Sequence, residues 1–201
     1  MKVTRAQASA NRKKIVETAS TLYRKHGFDG IGLAAIMKAV GLTHGTFYCH
    51  FASKDHLAAE ACAHALSQEY WEHRGDPCSL KSLDAVVRRY LSKRHRDDRA
   101  HGSLVAALGS DIVRQPGIVR RAFTEGLRSG IEALCRLTPG PSAYGERQEA
   151  LAMLAGLVGA LTLSRAVNDR KLSDEILQAG ARTFGRHCRS GKAVAAAAIR
   201  A

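Results

Sequence analysis

From Thr43 to Lys54 the chain reads Thr-His-Gly-Thr-Phe-Tyr-Cys-His-Phe-Ala-Ser-Lys, a short run crowded with hydroxyl, imidazole, phenol and ammonium groups. On a helix, Phe47 and Phe51 stand four residues apart and turn inward, leaving His44, Thr46, Tyr48 and His50 to face outward. That outward set is too polar and aromatic to serve only as core. Donors of these types on one face suit the phosphate backbone of DNA.

Such a face needs a rigid mount, and the flanking residues supply one. Leu33, Ile36, Met37 and Val40 fall at i, i+3, i+4 and i+7 and predict a short helix with one apolar stripe. Gly41 breaks it, and Thr43 is expected to cap the next helix. Upstream, a helix over about Asn11–His26 turns Ile15, Ala19, Leu22 and Tyr23 inward, with Gly27 able to take a left-handed stop. Downstream, a helix starts after Ser53, with Asp55 placed favourably against its dipole, and runs to about Glu72.

The remaining sequence also reads as helix, so the expected fold is all-α with about nine helices. Gly75 and Pro77 break the chain, after which Leu80–Arg96 and about Gly102–Arg114 carry helical patterns. Pro116 suits the first turn of a helix reaching about Leu137, ended by Pro139-Gly140-Pro141. Tyr144–Val167 is nearly apolar in its middle and dotted with Ala152, Ala155, Gly156, Gly159 and Ala160, small residues that let another helix approach. A last helix, about Asp174–His187, offers Ile176, Leu177, Gly180, Ala181 and Phe184 on one face. Together these two could pair with a twofold copy over about residues 144–188. The expected division is a head at residues 9–68, a body at 69–189 and a disordered tail at 190–201.

Composition narrows the partners. A formal net charge of +13 favours a polyanion, and residues 1–54 hold nine basic residues against two acidic ones, which concentrates the excess beside the polar helix. Five widely spaced cysteines without a Cys-x-x-Cys pair indicate neither a disulfide framework nor zinc, and a reducing compartment is expected. The polar, basic N-terminus lacks a signal-peptide pattern, and the apolar run Ala150–Ser164 is short for a membrane span and more like a buried helix. A cytoplasmic, nucleoid-associated protein without membrane attachment is expected. Nothing points to catalysis, a metal or a cofactor: Cys62-x-His64 lacks further ligands nearby, and no phosphate loop or nucleophile elbow occurs.

Residues 11–60 resemble the TetR/AcrR family of bacterial transcriptional regulators. The resemblance rests on Gly27-Phe28, Leu33–Val40, Gly41-Leu42, Thr43-His44-Gly45-Thr46-Phe47-Tyr48-Cys49-His50-Phe51 and Ser53-Lys54-Asp55, all in one register. It implies a helix-turn-helix motif at about 32–51, a homodimer built on the last two long helices, and a body that binds a small-molecule effector and thereby releases a palindromic operator. The family's usual action, repression, is the expected one.

In a helix-turn-helix head the second helix of the motif enters the major groove. Thr43, Thr46, Tyr48, His50 and Lys54 are assigned chiefly to phosphate, with His44, Gly45 and Cys49 nearest the base edges. The chain departs from the family pattern at three positions. Gly32 replaces a capping Ser or Thr, Ala34 replaces a longer polar residue, and His44 replaces a Lys or Arg, which raises pH-dependent operator affinity as a hypothesis for His44 alone. The basic run Arg12-Lys13-Lys14 reads as a solvated helix start or as a phosphate-contacting arm. Effector-pocket candidates are Cys62, Tyr70, Trp71, Tyr90, His101, Asp111, Arg114 and Phe123. The alternative is a basic helical ligand-binding or enzymatic dimer without sequence-specific DNA binding.

Overall fold

Apolar residues recurring at three and four build helices, and among the described residues the computed structural model has ten helices and no strand. Those residues are 4–68, 82–138 and 142–198, with side chains described as far as Gly185. The helices are α1 (Arg5–His26), α2 (Leu33–Ala39), α3 (His44–Phe47), α4 (Lys54–Ser67), α5 (Leu83–Tyr90), α6 (Lys93–Asp97), α7 (Leu104–Ile112), α8 (Gly117–Cys135), α9 (Ala143–Ala166) and α10 (Arg170–Ala198).

Two compact units share these helices. The first comprises residues 1–68 and 99–127, the second 69–98 and 128–201. The unit that holds the head therefore also holds α7 and the start of α8, beyond the expected head at 9–68.

In the first unit α1 packs along α4, and α2 and α7 pack against α1. Ile15, Ala19 and Tyr23 of α1 are buried with Ile36 and Met37 of α2, Phe47, Phe51, Leu57 and Leu66. Close approach by α8 requires a glycine: a Cβ on Gly126 would lie 2.5 Å from Leu66 Cδ1. Gly27 ends α1 at φ 80°, ψ 167°, a conformation that only glycine adopts readily, and its N–H donates to the Tyr23 carbonyl.

In the second unit α10 packs along α9 and against α5, and α6 packs on α9. The small residues divide into two sets. Gly156 lies under the Phe184 ring, and a Cβ on Gly180 would stand 3.2 Å from that of Ala160, so these three small residues serve contact within the chain. Ala152, Ala155 and Leu163 instead remain exposed, as does Leu172 on α10. By length and composition α9 could cross a membrane, and 33% of its most apolar stretch is buried inside the protein.

Three helix starts differ from expectation for a capping reason, and one helix end for another. The segment Leu80–Arg96 is two helices: Ser92 accepts from the His95 N–H and starts α6 afresh after the α5 stop at Leu91. Thr4 caps α1 by accepting from the Gln7 N–H, a full turn and more before Asn11. Asp169 Oδ1 accepts from the N–H groups of Lys171 and Leu172, so α10 starts before Asp174. It also continues to Ala198 through the segment expected to be a disordered tail, whose alanines are the strongest helix formers.

A buried polar cluster secures α6. Arg96, 4% exposed, donates to Ser173 Oγ at 2.9 Å, Asp174 Oδ1 at 2.7 Å and Asp97 Oδ1 at 2.8 Å. Arg165 donates to the carbonyls of His95 and Arg96. Burying a guanidinium is costly unless its donors are matched, and here carboxylates and a hydroxyl meet them.

Candidate nucleic-acid interface

The corner between α2 and α3 is closed by backbone hydrogen bonds. Gly41, at φ 77°, donates to the Lys38 carbonyl at 3.0 Å, and Leu42 donates to that of Met37 at 3.0 Å. Thr43 takes the N-cap position of α3 but makes no side-chain cap: its hydroxyl lies 2.8 Å from that of Thr46 instead. The sequence expectation of a Thr43 cap is corrected accordingly. Gly32 likewise starts α2 without a side-chain cap.

Beyond α3, His50 and Phe51 both donate to the Phe47 carbonyl, which carries the turn to Phe51. Phe47 and Phe51 are buried with stacked rings 5.4 Å apart, so their burial fixes which residues face out. Thr43, His44, Gly45, Tyr48 and Cys49 are exposed, and Thr46, His50 and Lys54 are half-buried. Tyr48 is 64% exposed, braced edge-on by Phe47 at 5.2 Å and His44 at 5.8 Å. All eight candidate residues thus lie at the N-cap of α3, on α3, in the turn that follows it or at the first residue of α4.

Cations from other helices hold the ends of the head helices. Lys14 donates to the carbonyl of Val40, the C-cap of α2, at 3.0 Å. Lys54 donates to the Phe28 carbonyl, just beyond α1, also at 3.0 Å. Arg12 donates to the His50 carbonyl and to Glu60 Oε1, and its guanidinium carbon lies 4.2 Å from the centre of the Phe51 ring. Carbonyls at helix ends carry partial negative charge, which a cation offsets. Of the run read as a helix start or a phosphate arm, Arg12 and Lys14 thus bind within the head, and Lys13 pairs with Glu17 on its own helix. Spacing could not have revealed this, because Arg12 and His50 are 38 residues apart.

Two buried groups are held uncharged. Burial, and then the charge of Asp55, pushes the Tyr23 phenol up to about 12, and its hydroxyl has no hydrogen-bond partner among the described residues. Burial alone pushes the Cys62 thiol up to about 12, which suppresses the reactive thiolate.

The pocket candidates occupy different surroundings. Cys62 lies in the first unit's core with Phe123 packed against it, while Tyr90 is fully buried in the second unit. His101 and Arg114 are exposed, and Arg114 pairs with Asp111 on α7. Tyr70 and Trp71 lie outside the described residues. Among the described residues no group of three His, Cys, Asp or Glu side chains could hold a metal ion.

A tight glycine corner that presents a polar, aromatic second helix has the geometry of a helix-turn-helix motif. Residues 15–61 match the model of the bacterial regulatory proteins, tetR family, so this segment is similar to that family. It is 30% identical over 97 residues to the HTH-type transcriptional regulator YvdT of Bacillus subtilis, a match covering 45% of this chain and 50% of YvdT. It is 26% identical over 96 residues to the HTH-type transcriptional repressor AcnR of Corynebacterium diphtheriae, covering 48% of each. The chain thus spans about half the length of these curated relatives. Its fold matches the crystal structure of a TetR-family regulator from Cytophaga hutchinsonii with a TM-score of 0.68 at 17% identity, covering 92% of this chain and 96% of that one.

Proposed function

We propose that the protein is a homodimeric one-component repressor whose α3 reads a palindromic operator and whose body releases it on binding a small molecule. The observation that carries this reading is Tyr48, held 64% exposed between His44 and Phe47 on a helix otherwise anchored by buried phenylalanines. A solvated helix has no need of an aromatic there, whereas a phenol with flanking hydroxyls and imidazoles can bind phosphates and base edges. In this reading Thr43, Thr46, Tyr48, His50 and Lys54 take phosphates, and His44, Gly45 and Cys49 lie nearest the bases. Lys54 keeps further N–H donors besides the one given to Phe28.

Dimerisation through α9 and α10 is supported by the exposed Ala152, Ala155, Leu163 and Leu172. The name of AcnR supports repression. The division into a head at 9–68 and an effector-binding body at 69–189, action in the cytoplasm on the nucleoid, and the absence of catalysis belong to the same reading. Sedimentation of the protein with its own upstream intergenic DNA tests the assembly: two or four chains per duplex fit a twofold operator, and a single chain per duplex does not.

A further inference from the structure

We propose that Arg12 is a positioning residue for DNA reading, locking the far end of the recognition segment from inside the head instead of binding a phosphate. The inference rests on the reading of α3 as the DNA-contacting helix. A helix of four residues, His44–Phe47, has little stability of its own, so the aim of Tyr48, Cys49 and His50 depends on what holds the turn after it. Three contacts on one guanidinium do so: a donor to the His50 carbonyl, a second donor to Glu60 Oε1, and stacking 4.2 Å over Phe51.

Each partner contributes something different. Phe51 is buried and fixes the height of the ring, the His50 carbonyl fixes the backbone beside the outward face, and Glu60 on α4 aims the guanidinium. Arg12 and Glu60 have side chains 40% and 41% exposed, so their ion pair alone adds little stability. The planar fork is what joins α1, α4 and the end of the recognition segment, a geometry that a lysine cannot reproduce. Occupied in this way, Arg12 is not counted among the phosphate-binding cations.

The test uses the full-length protein and a duplex selected by the wild type from a random pool. Arg12→Met, Arg12→Lys and Glu60→Gln are compared by affinity for selected and random duplex, by salt slope, and by hydrogen exchange of the Cys49–Phe51 amides without DNA. Melting curves first establish that each variant is folded. Positioning predicts that all three lose about tenfold or more in specific affinity, the scale of one charge-assisted hydrogen bond, with random-duplex affinity and salt slope unchanged and with faster exchange at Cys49–Phe51. Phosphate binding predicts the reverse: Arg12→Met lowers the slope by about 0.9 per contact, Arg12→Lys is tolerated, and Glu60→Gln tightens binding by freeing the guanidinium. Those results, or unchanged exchange, overturn the proposal. A variant that does not fold leaves the decision to Arg12→Lys and Glu60→Gln, while a wild type that selects no sequence refutes the DNA reading and leaves exchange to decide the lock alone.

Discussion

The ring of Phe184 on α10 occupies the space where Gly156 of α9 lacks a side chain: a Cβ there would sit 2.0 Å from Cζ. The same helix carries Gly159, where a Cβ would meet nothing within 4 Å. Gly156→Ala is therefore expected to destabilise the fold by about 1–2 kcal/mol, since overpacking outweighs the gain in helix propensity. Gly159→Ala should stabilise the isolated chain by about 0.5–1 kcal/mol. Because Gly159 lies beside Ala155 and Leu163 on the proposed dimer face, the same change should weaken self-association. Urea melts at high and low protein concentration, with sedimentation, check both effects.

Acid should loosen the second unit through His95. This residue is 2% exposed with Nδ1 2.6 Å from the Tyr90 carbonyl, and burial lowers its pKa from 6.5 to about 4. Because the unfolded chain takes up a proton that the folded chain refuses, this contribution is complete above pH 6.5 and declines as pH falls toward 4. Between pH 7 and 5 the loss is on the order of 2 kcal/mol, at about 1.4 kcal/mol per pH unit. His64, also lowered by burial, acts in the same direction. Asp97 and Asp174 are lowered by bonds to Arg96 and Lys93, so their losses begin only at more acid pH. Urea midpoints at pH 7 and 5 should move less for His95→Gln than for wild type.

Gly32 is open to repair. It starts α2 at φ −82° without a side-chain cap, and a Cβ there meets nothing within 4 Å. Gly32→Ser should add a few tenths of a kcal/mol by capping, visible as a small rise in melting temperature. A fall in melting temperature would show that the serine does not cap.

Stripes made the head legible before its contacts were known. Ile15, Ala19 and Tyr23, then Ile36, Met37 and Val40, repeat at helical spacing and are all buried. Helix starts were less legible, because a capping serine such as Ser92 resembles any surface serine until its hydroxyl is seen accepting from the His95 N–H. Side-chain competition also hid the Thr43 outcome, where a neighbouring hydroxyl displaces the backbone amide. The clasp from Arg12 to His50 and the cluster around Arg96 join residues 38 to 78 positions apart, and local periodicity carries no trace of such pairs.

Charge counting alone overstated the cations available to DNA. Lys14 and Lys54 each donate to a backbone carbonyl within the head, and Lys54 is the cation assigned both to Phe28 and to phosphate. Lys54→Ala is expected to weaken specific and random duplex binding alike and to lower the salt slope by about 0.9 per protomer. Titrations at several salt concentrations check this, and an unchanged slope would leave Lys54 a purely internal group.

The central claim is that the outward face of α3 reads sequence. Its most direct test is the ratio of dissociation constants for a duplex selected from a random pool and for random duplex, at one moderate salt concentration. The account predicts a ratio of about 10³ or more for the wild type, falling toward one when Tyr48 and His44 are replaced by alanine. A ratio near one for the wild type would contradict it.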